Sequence, residues 1–299
     1  MIRSFLFIPG DSDKKLAKGD ESGADALILD LEDAVAPAAK EAARERVASH
    51  LAARPKGSRA PQLWVRINPF DTGLTLGDLA AVMPHAPDGI VQPKTDGPAC
   101  LARLSHYLDA FEAASGLAAG STAILPVATE TPRAVLTLGN FAGADLPRLY
   151  GLSWGAEDLA TALGATGNRD ADGRFGDTFR LARSQMLLAA KAAEVAAIDT
   201  LHADFRDEAG LVASSRAARA EGFSGRLAIH PAQVAPINQA FMPDAAEVLH
   251  AERVLAAFAA AGDAGTVGLD GKMLDVPHRK QAENIIALAR AFGVGDDAR

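Results

Sequence analysis

The chain has 299 residues, 48% of them hydrophobic and 23% charged, the balance of an ordinary globular protein with one large or two small domains. Its formal net charge of -8 argues against nucleic acid as a partner, because phosphate binding needs a basic surface. No apolar run reaches the ~20 residues of a membrane span, and the single cysteine, Cys100, excludes an intrachain disulfide and suits a reducing compartment, the cytoplasm.

The opening MIRSFLFIPG is expected to be a first strand and its turn, since it lacks the apolar length and cleavage site of a signal peptide. Short apolar stretches then recur at fairly regular intervals. They cover 3–8 (RSFLFI), 25–31 (DALILDL), 63–67 (LWVRI), 89–92 (GIVQ), 123–128 (AILPVA), 149–154 (LYGLSW), 196–201 (AAIDTL) and 226–229 (RLAI). Each is bounded by Gly, Pro, Asp or Asn, and none alternates cleanly, which predicts strands buried on both faces of a parallel sheet. Helical patterns lie between them at 13–21, 37–53, 97–114, 132–138, 158–163, 179–193, 208–221 and 231–241. Eight strands alternating with helices predict an α/β fold, a (β/α)8 TIM barrel spanning 1–241; a doubly wound open sheet is the alternative. Residues 242–299 read as an extension: a helix at 245–261, a hairpin at 266–276 turning at Asp270-Gly271, and a last helix at 279–292. Such an extension packs either on a neighbouring subunit or on its own barrel. The Gly-rich stretches 69–77 and 164–176 are expected to be loops, and candidate lids.

The stretch LYGLSWGAEDL at 149–159 organises the candidate chemistry. Asp158 stands where a strand ends and a helix begins, and Glu130 holds the same kind of position one unit earlier. That is the edge at which parallel α/β proteins bind ligands. Two acids at successive strand ends can converge on one Mg²⁺ or Mn²⁺, with substrate and water completing the shell. Either acid could instead cap its helix. No zinc-type His or Cys spacing occurs.

Asp30, Glu32 and Asp33 close the second strand as LDLEDAV. An acid within an apolar strand needs a partner, so these face the metal's surroundings, pair with an arginine, or cap the helix that follows. Arg66, in WVRIN, could hold a carboxylate or a developing enolate oxygen, or bridge to Asp30 or Glu32; the two roles are compatible. Asn68 is a turn residue or a substrate contact. Lys94, in VQPK, could form a Schiff base, but an acid cluster around a metal favours an electrostatic role. His230 is a general base or a structural histidine. Arg3, Lys14, Lys15 and Lys18 form a phosphate site or a solvated face, and no nucleotide-binding glycine fingerprint is present.

Taken together, RSFLFIPG at 3–10, LDLEDAV at 29–35, VRIN at 65–68, QPK at 92–94, TETP at 129–132, GAEDLA at 155–160, AIHP at 228–231 and GKMLDVPHRKQA at 271–282 resemble the citrate lyase β-subunit-like branch of the HpcH/HpaI aldolase family. The motifs run in family order over nearly the whole chain. The resemblance implies a TIM barrel that binds Mg²⁺ and cleaves or forms a carbon–carbon bond in a CoA thioester of the citramalyl-, malyl- or citryl-CoA type, giving an acyl-CoA and a 2-oxo acid. It implies Glu130 and Asp158 as metal ligands and Arg66 at the substrate's reacting end. It also implies Arg3 near the CoA phosphates, and Asp275 on a hairpin that reaches a neighbouring subunit's site in a homotrimer. Glu32, Asp33 and Lys94 take supporting roles. Rival readings are a malyl-CoA thioesterase or malate-synthase-like enzyme, a citrate lyase β subunit working on an acyl-carrier protein, and a non-catalytic scaffold. An intact set of buried charges speaks against the last.

Overall fold

The computed structural model describes residues 1–262 and 265–294. Eight parallel strands lie at its centre: β1 (Ser4–Pro9), β2 (Ala26–Asp30), β3 (Gln62–Arg66), β4 (Gly89–Gln92), β5 (Ala123–Pro126), β6 (Gly151–Ser153), β7 (Ala196–Asp199) and β8 (Gly225–Ala228). The hydrogen-bonded order is β5-β4-β3-β2-β1-β8-β7-β6. Parallel bridges Ile124–Leu149 and Val127–Ser153 join β5 to the β6 segment and close the ring. The closing bonds include Tyr150 N–H to Ile124 O at 2.9 Å and Ala128 N–H to Ser153 O at 2.8 Å. The (β/α)8 barrel is therefore the fold, and the open doubly wound sheet is excluded, because a doubly wound sheet reverses its strand order and leaves two edges.

The helices of the barrel unit are α1 (Asp13–Asp20), α2 (Lys40–Ala52), α3 (Thr75–Val82), α4 (Pro98–Ala114), α5 (Pro132–Thr137), α6 (Ala156–Leu163), α7 (Asp177–Ala192), α8 (Glu208–Glu221) and α9 (Val234–Ala240). Local chemistry explains several of their starts. Ser12 and Thr131 accept backbone N–H groups as N-caps of α1 and α5, and Pro98 and Pro132 occupy first-turn positions that need no donor. One correction concerns 69–77. The expected loop is shorter, because a 3-10 turn at Phe70–Thr72 leads straight into α3 at Thr75. Gly73 and Gly77 masked that start, yet Leu79 and Val82 are fully buried, so tertiary packing outweighs the weak local propensity.

Side chains of alternate strand residues fill the barrel. Phe5, Trp64 and Tyr150 meet edge to face at its floor, with centroids 5.3 to 6.0 Å apart. Ala26, Ile28, Val91, Leu125 and Ile198 pack above and around them. Gly89 is required here, since a Cβ would lie 2.2 Å from the Trp64 ring. Losing the Trp64 side chain would cost about 3–5 kcal/mol.

The chain divides into two compact units, Met1–Asn238 and Gln239–Arg299. In the second, α10 (Ala245–Ala260), the antiparallel hairpin β9 (Thr266–Leu269) and β10 (Lys272–Asp275), and α11 (Val276–Ala291) share an apolar core of Ala251, Val254, Phe258, Val267, Leu274 and Ala282. Asp270 turns the hairpin with φ +48, beside Gly271 at φ +72. Among the described residues, no helix is long and apolar enough to cross a membrane.

Candidate active site at the barrel mouth

Parallel strands deliver their last residues to one rim. Asp30 ends β2, Arg66 ends β3, Lys94 follows β4, Glu130 follows β5, and Asp158 lies in the first turn of α6. Asp30, Asp33, Arg66, Glu130 and Asp158 line one cavity of about 380 Å³. Phe7, Val127, Trp154, Leu201, Leu227 and Ile229 form its apolar wall, and Glu157 and Thr200 also line it.

A chain of ion pairs crosses the rim. Arg66 Nε and Nη2 donate to Asp30 Oδ1 and Oδ2 at 2.7 and 2.6 Å. Its Nη1 lies 2.9 Å from Glu32 Oε2. Lys94 Nζ donates to Glu32 Oε1 at 2.5 Å and stands 3.7 Å from Asp158 Oδ1 and 3.8 Å from Asp33 Oδ2. Of the two roles read for Arg66, the bridge to Asp30 and Glu32 is present, and the guanidinium also faces the cavity. Burial opposes the charge on Lys94, but the bond to Glu32 and the surrounding acids outweigh it and hold its pKa above the usual lysine range. An amine kept charged in this way is a poor nucleophile, so the electrostatic reading of Lys94 is preferred to the Schiff base.

Glu130 is the unusual acid. It is 4% exposed. Its Oε2 accepts the backbone N–H of Lys94, a residue held in the left-handed region at φ +50. A non-glycine residue there is strained by about 1 kcal/mol or more, and it persists because the surroundings impose it. Burial first, and then the nearby Asp158 and Glu32 carboxylates, push the Glu130 carboxyl up to about 8 against the pull of the Lys94 N–H. Burial also raises Glu32, despite Arg66 and Lys94. Lys94 offsets part of this charge, and a buried carboxylate with acids beside it and an open cavity in front suits a hard divalent cation. Among the described residues no three His, Cys, Asp or Glu side chains converge as a complete ligand set. Two carboxylates with several open positions match Mg²⁺, which keeps water and substrate oxygens as ligands.

The supporting shell is dense. Lys40 Nζ donates to Leu31 O, Glu32 O and Asn68 Oδ1 at 2.7, 2.7 and 2.8 Å, pinning the loop that carries Glu32 and Asp33. Asn68 is 2% exposed and its amide donates to Leu31 O and Asp78, so it is a structural clamp and not a substrate contact. His230 accepts from Ala232 N–H and stacks on Phe205 at 4.6 Å, the structural alternative. Trp154 Nε1 donates to Asp199 Oδ1 at 2.7 Å, and Asp199 is held by Arg183 and Arg226. Nothing in the motifs signalled Lys40, Asp78 or Asp199, because their partners lie on other strands.

Two expected site residues lie elsewhere. Arg3 precedes β1, at the pole opposite the mouth, and makes three hydrogen bonds to Asp25 at 2.7 to 2.9 Å. It is therefore not brought together with Glu130 and Arg66, and the basic cluster with Lys14, Lys15 and Lys18 is split by the length of β1. Asp275 belongs to the second unit, where it caps α11 and pairs with His278.

A closed TIM barrel with carboxylates beside a locked arginine at its strand ends presents groups that suit a divalent cation and an anion. Residues 3–231 match the family model described as HpcH/HpaI aldolase/citrate lyase, and residues 179–294 match that of a C–C bond lyase of the TIM-barrel fold. The chain belongs to the HpcH/HpaI aldolase/citrate lyase family. It is 33% identical to the mitochondrial citramalyl-CoA lyase of Rattus norvegicus over 97% of this chain and 86% of the relative. It is 34% identical to the citrate lyase subunit beta of Escherichia coli K12 over 99% of this chain and 95% of that one. The crystal structure of the Mycobacterium tuberculosis CitE protein, in complex with magnesium, acetoacetate and coenzyme A, superposes with a TM-score of 0.78 at 32% identity, covering 96% of this chain and 98% of the other.

Proposed function

We propose that this protein is a Mg²⁺-dependent carbon–carbon lyase. It acts on a 3-hydroxy-3-carboxyacyl-CoA of the citramalyl-, malyl- or citryl-CoA type, releasing an acyl-CoA and a 2-oxo acid. The observation that carries the reading is the buried Glu130 carboxyl, whose charge Lys94 offsets only in part, facing a cavity it shares with Asp158 and Arg66. The relatives' names support it: one is a citramalyl-CoA lyase, and one structure holds magnesium with coenzyme A.

Glu130 and Asp158 would hold the ion, which when bound polarises the oxygen destined to become the keto group. Arg66 has five donors, of which Asp30 accepts two, and Glu32 pairs with its charge at 2.9 Å. Its remaining N–H groups hold the substrate carboxylate and the thioester enolate oxygen as charge develops there. Lys94 keeps Glu32 and Asp158 from repelling the substrate's carboxylates. The apolar wall of Leu201, Leu227 and Ile229 shields the acyl end from water. Asp275 of the partner subunit exchanges the proton at the acyl α-carbon, in a homotrimer whose extensions complete neighbouring sites. The cytoplasm is the proposed compartment, in keeping with the lone thiol of Cys100.

Similarity to citrate lyase subunit beta favours one second reading, a citryl thioester carried on an acyl-carrier protein. Product analysis with malyl-, citramalyl- and citryl-CoA, Mg²⁺ and an EDTA control separates them. An acyl-CoA plus 2-oxo acid, abolished by EDTA, is the expected result. Free CoA with intact hydroxy acid would mean a thioesterase, and no turnover of any thioester would favour the carrier-protein substrate.

A further inference from the structure

Asp275 stands where β10 ends and α11 begins, and it caps that helix from an extended backbone, φ -123 and ψ -175. The cap is reciprocal: the carboxylate takes the backbone N–H of His278, and the His278 ring lies against the Asp275 N–H at 3.3 Å. Glu or Gln ordinarily fills this third helical position and would serve the cap equally well. Histidine adds a ring nitrogen that can give or accept a proton.

His278 Nδ1 lies 2.5 Å from Asp275 Oδ1, a separation at which one proton is shared between them. That bond is the main cause of an Asp275 carboxyl held below the usual range. The pair is exposed, 49% for Asp275 and 48% for His278, so it is no core element. The neighbouring charges are occupied or distant from the carboxylate. Thr266 stands opposite Asp275 on β9, Arg279 pairs with Glu283 at 3.6 Å, and Arg253 takes Asp270 at 2.6 Å. Lys272 starts β10, at the far end of the strand from Asp275. The ring borders an open groove of about 310 Å³ with Pro277, Lys280, Gln281 and Asn284, through which it reaches solvent.

We propose that His278 is the proton partner of Asp275, a positioning residue that orients the carboxylate and reloads it during turnover. The inference rests on the reading of Asp275 given above. In cleavage the hydroxyl proton passes to solvent, the carbon–carbon bond breaks, and its electron pair forms the thioester enolate. Asp275 delivers the proton it shares with His278 to the enolate carbon, and solvent returns one proton to the pair. Condensation runs the same transfers backwards.

The test compares wild type with H278Q, which retains the reciprocal cap and so the start of α11. Two readouts serve: cleavage kinetics against pH, and exchange of acetyl-CoA methyl protons into D2O with Mg²⁺ and no keto acid. The expected result is a fall of about tenfold or more in kcat and exchange with KM little changed. The acidic limb of the exchange reaction, in which Asp275 acts as base, should move up in pH, and added imidazole should rescue H278A. Wild-type kcat and an unmoved acidic limb in H278Q would overturn the inference. D275N keeps the two readings apart. If it is inert while H278Q behaves as wild type, only the role of His278 falls; if D275N retains full turnover, both fall.

Discussion

Arg66 and Asp30 face each other through two parallel bonds of 2.7 and 2.6 Å, from the ends of adjacent strands in register. The Phe7 ring lies 4.7 Å from the guanidinium carbon, so its plane is fixed on a third side. A lysine offers one charge and no fork. R66K should fold and bind Mg²⁺ with near-normal affinity while kcat/KM drops by about 10² to 10³. D30A leaves a buried arginine half-paired and should lower stability by about 3–5 kcal/mol, read by urea unfolding.

Glu130 makes the metal-free protein sensitive to pH. Its carboxyl is raised from 4.5 to about 8, so across that window the folded protein holds a proton the unfolded chain has released. Stability contributed by this group therefore falls as pH rises from about 4.5 to 8, at about 1.4 kcal/mol per unit at most. E130Q has nothing to deprotonate there. Without metal, wild type should lose Tm relative to E130Q between pH 5 and 8, and Mg²⁺ should restore it only in wild type. Mg²⁺ affinity, measured by calorimetry, should rise by up to about tenfold per pH unit below 8, with release of a proton on binding. A flat pH dependence would refute the raised carboxyl.

Gly155 leaves room for that carboxylate. A Cβ there would lie 3.0 Å from Glu130 Cγ and 3.2 Å from Val127 Cγ1, while its φ of -119 suits any residue. The cost of G155A is thus steric and directed at Glu130. The variant should keep most of its stability, losing about 1–3 kcal/mol, and lose Mg²⁺ affinity out of proportion. Unaltered affinity would mean that Glu130 does not bind the ion.

Lys40 offers a control outside the cavity lining. K40M removes a donor from three acceptors, two of them carbonyls of the Glu32 loop. Stability should fall by about 2–3 kcal/mol and kcat should drop, with Mg²⁺ affinity kept, because Glu130 and Asp158 lie on other strand ends.

Much of this was legible in the residues in order. Short apolar runs punctuated by Gly and Pro mark the strands, and the acids at 30, 130 and 158 and the arginine at 66 fall where those runs stop. A parallel barrel brings every such stop to one rim, so position along a strand already implies position at the mouth. What the linear order cannot carry is pairing between strands. Closure of β5 on β6 sets Glu130 beside Gly155. The turn after β4, forced to φ +50 at Lys94, aims a backbone N–H at Glu130. Arg3 is expected near the CoA phosphates from the family resemblance and from its closeness in sequence to Lys14, Lys15 and Lys18, yet it sits at the strand's beginning and salt-bridges Asp25 at the other pole. Asn68 looked like a rim contact until Asp78, on a helix the Gly-rich text concealed, took its amide. The local pattern determined the elements and their ends, because periodicity and turn chemistry act over a few residues. Which charges meet, and which carboxyl is left short of positive charge, was decided by strand register and burial, which exist only once the ring is closed.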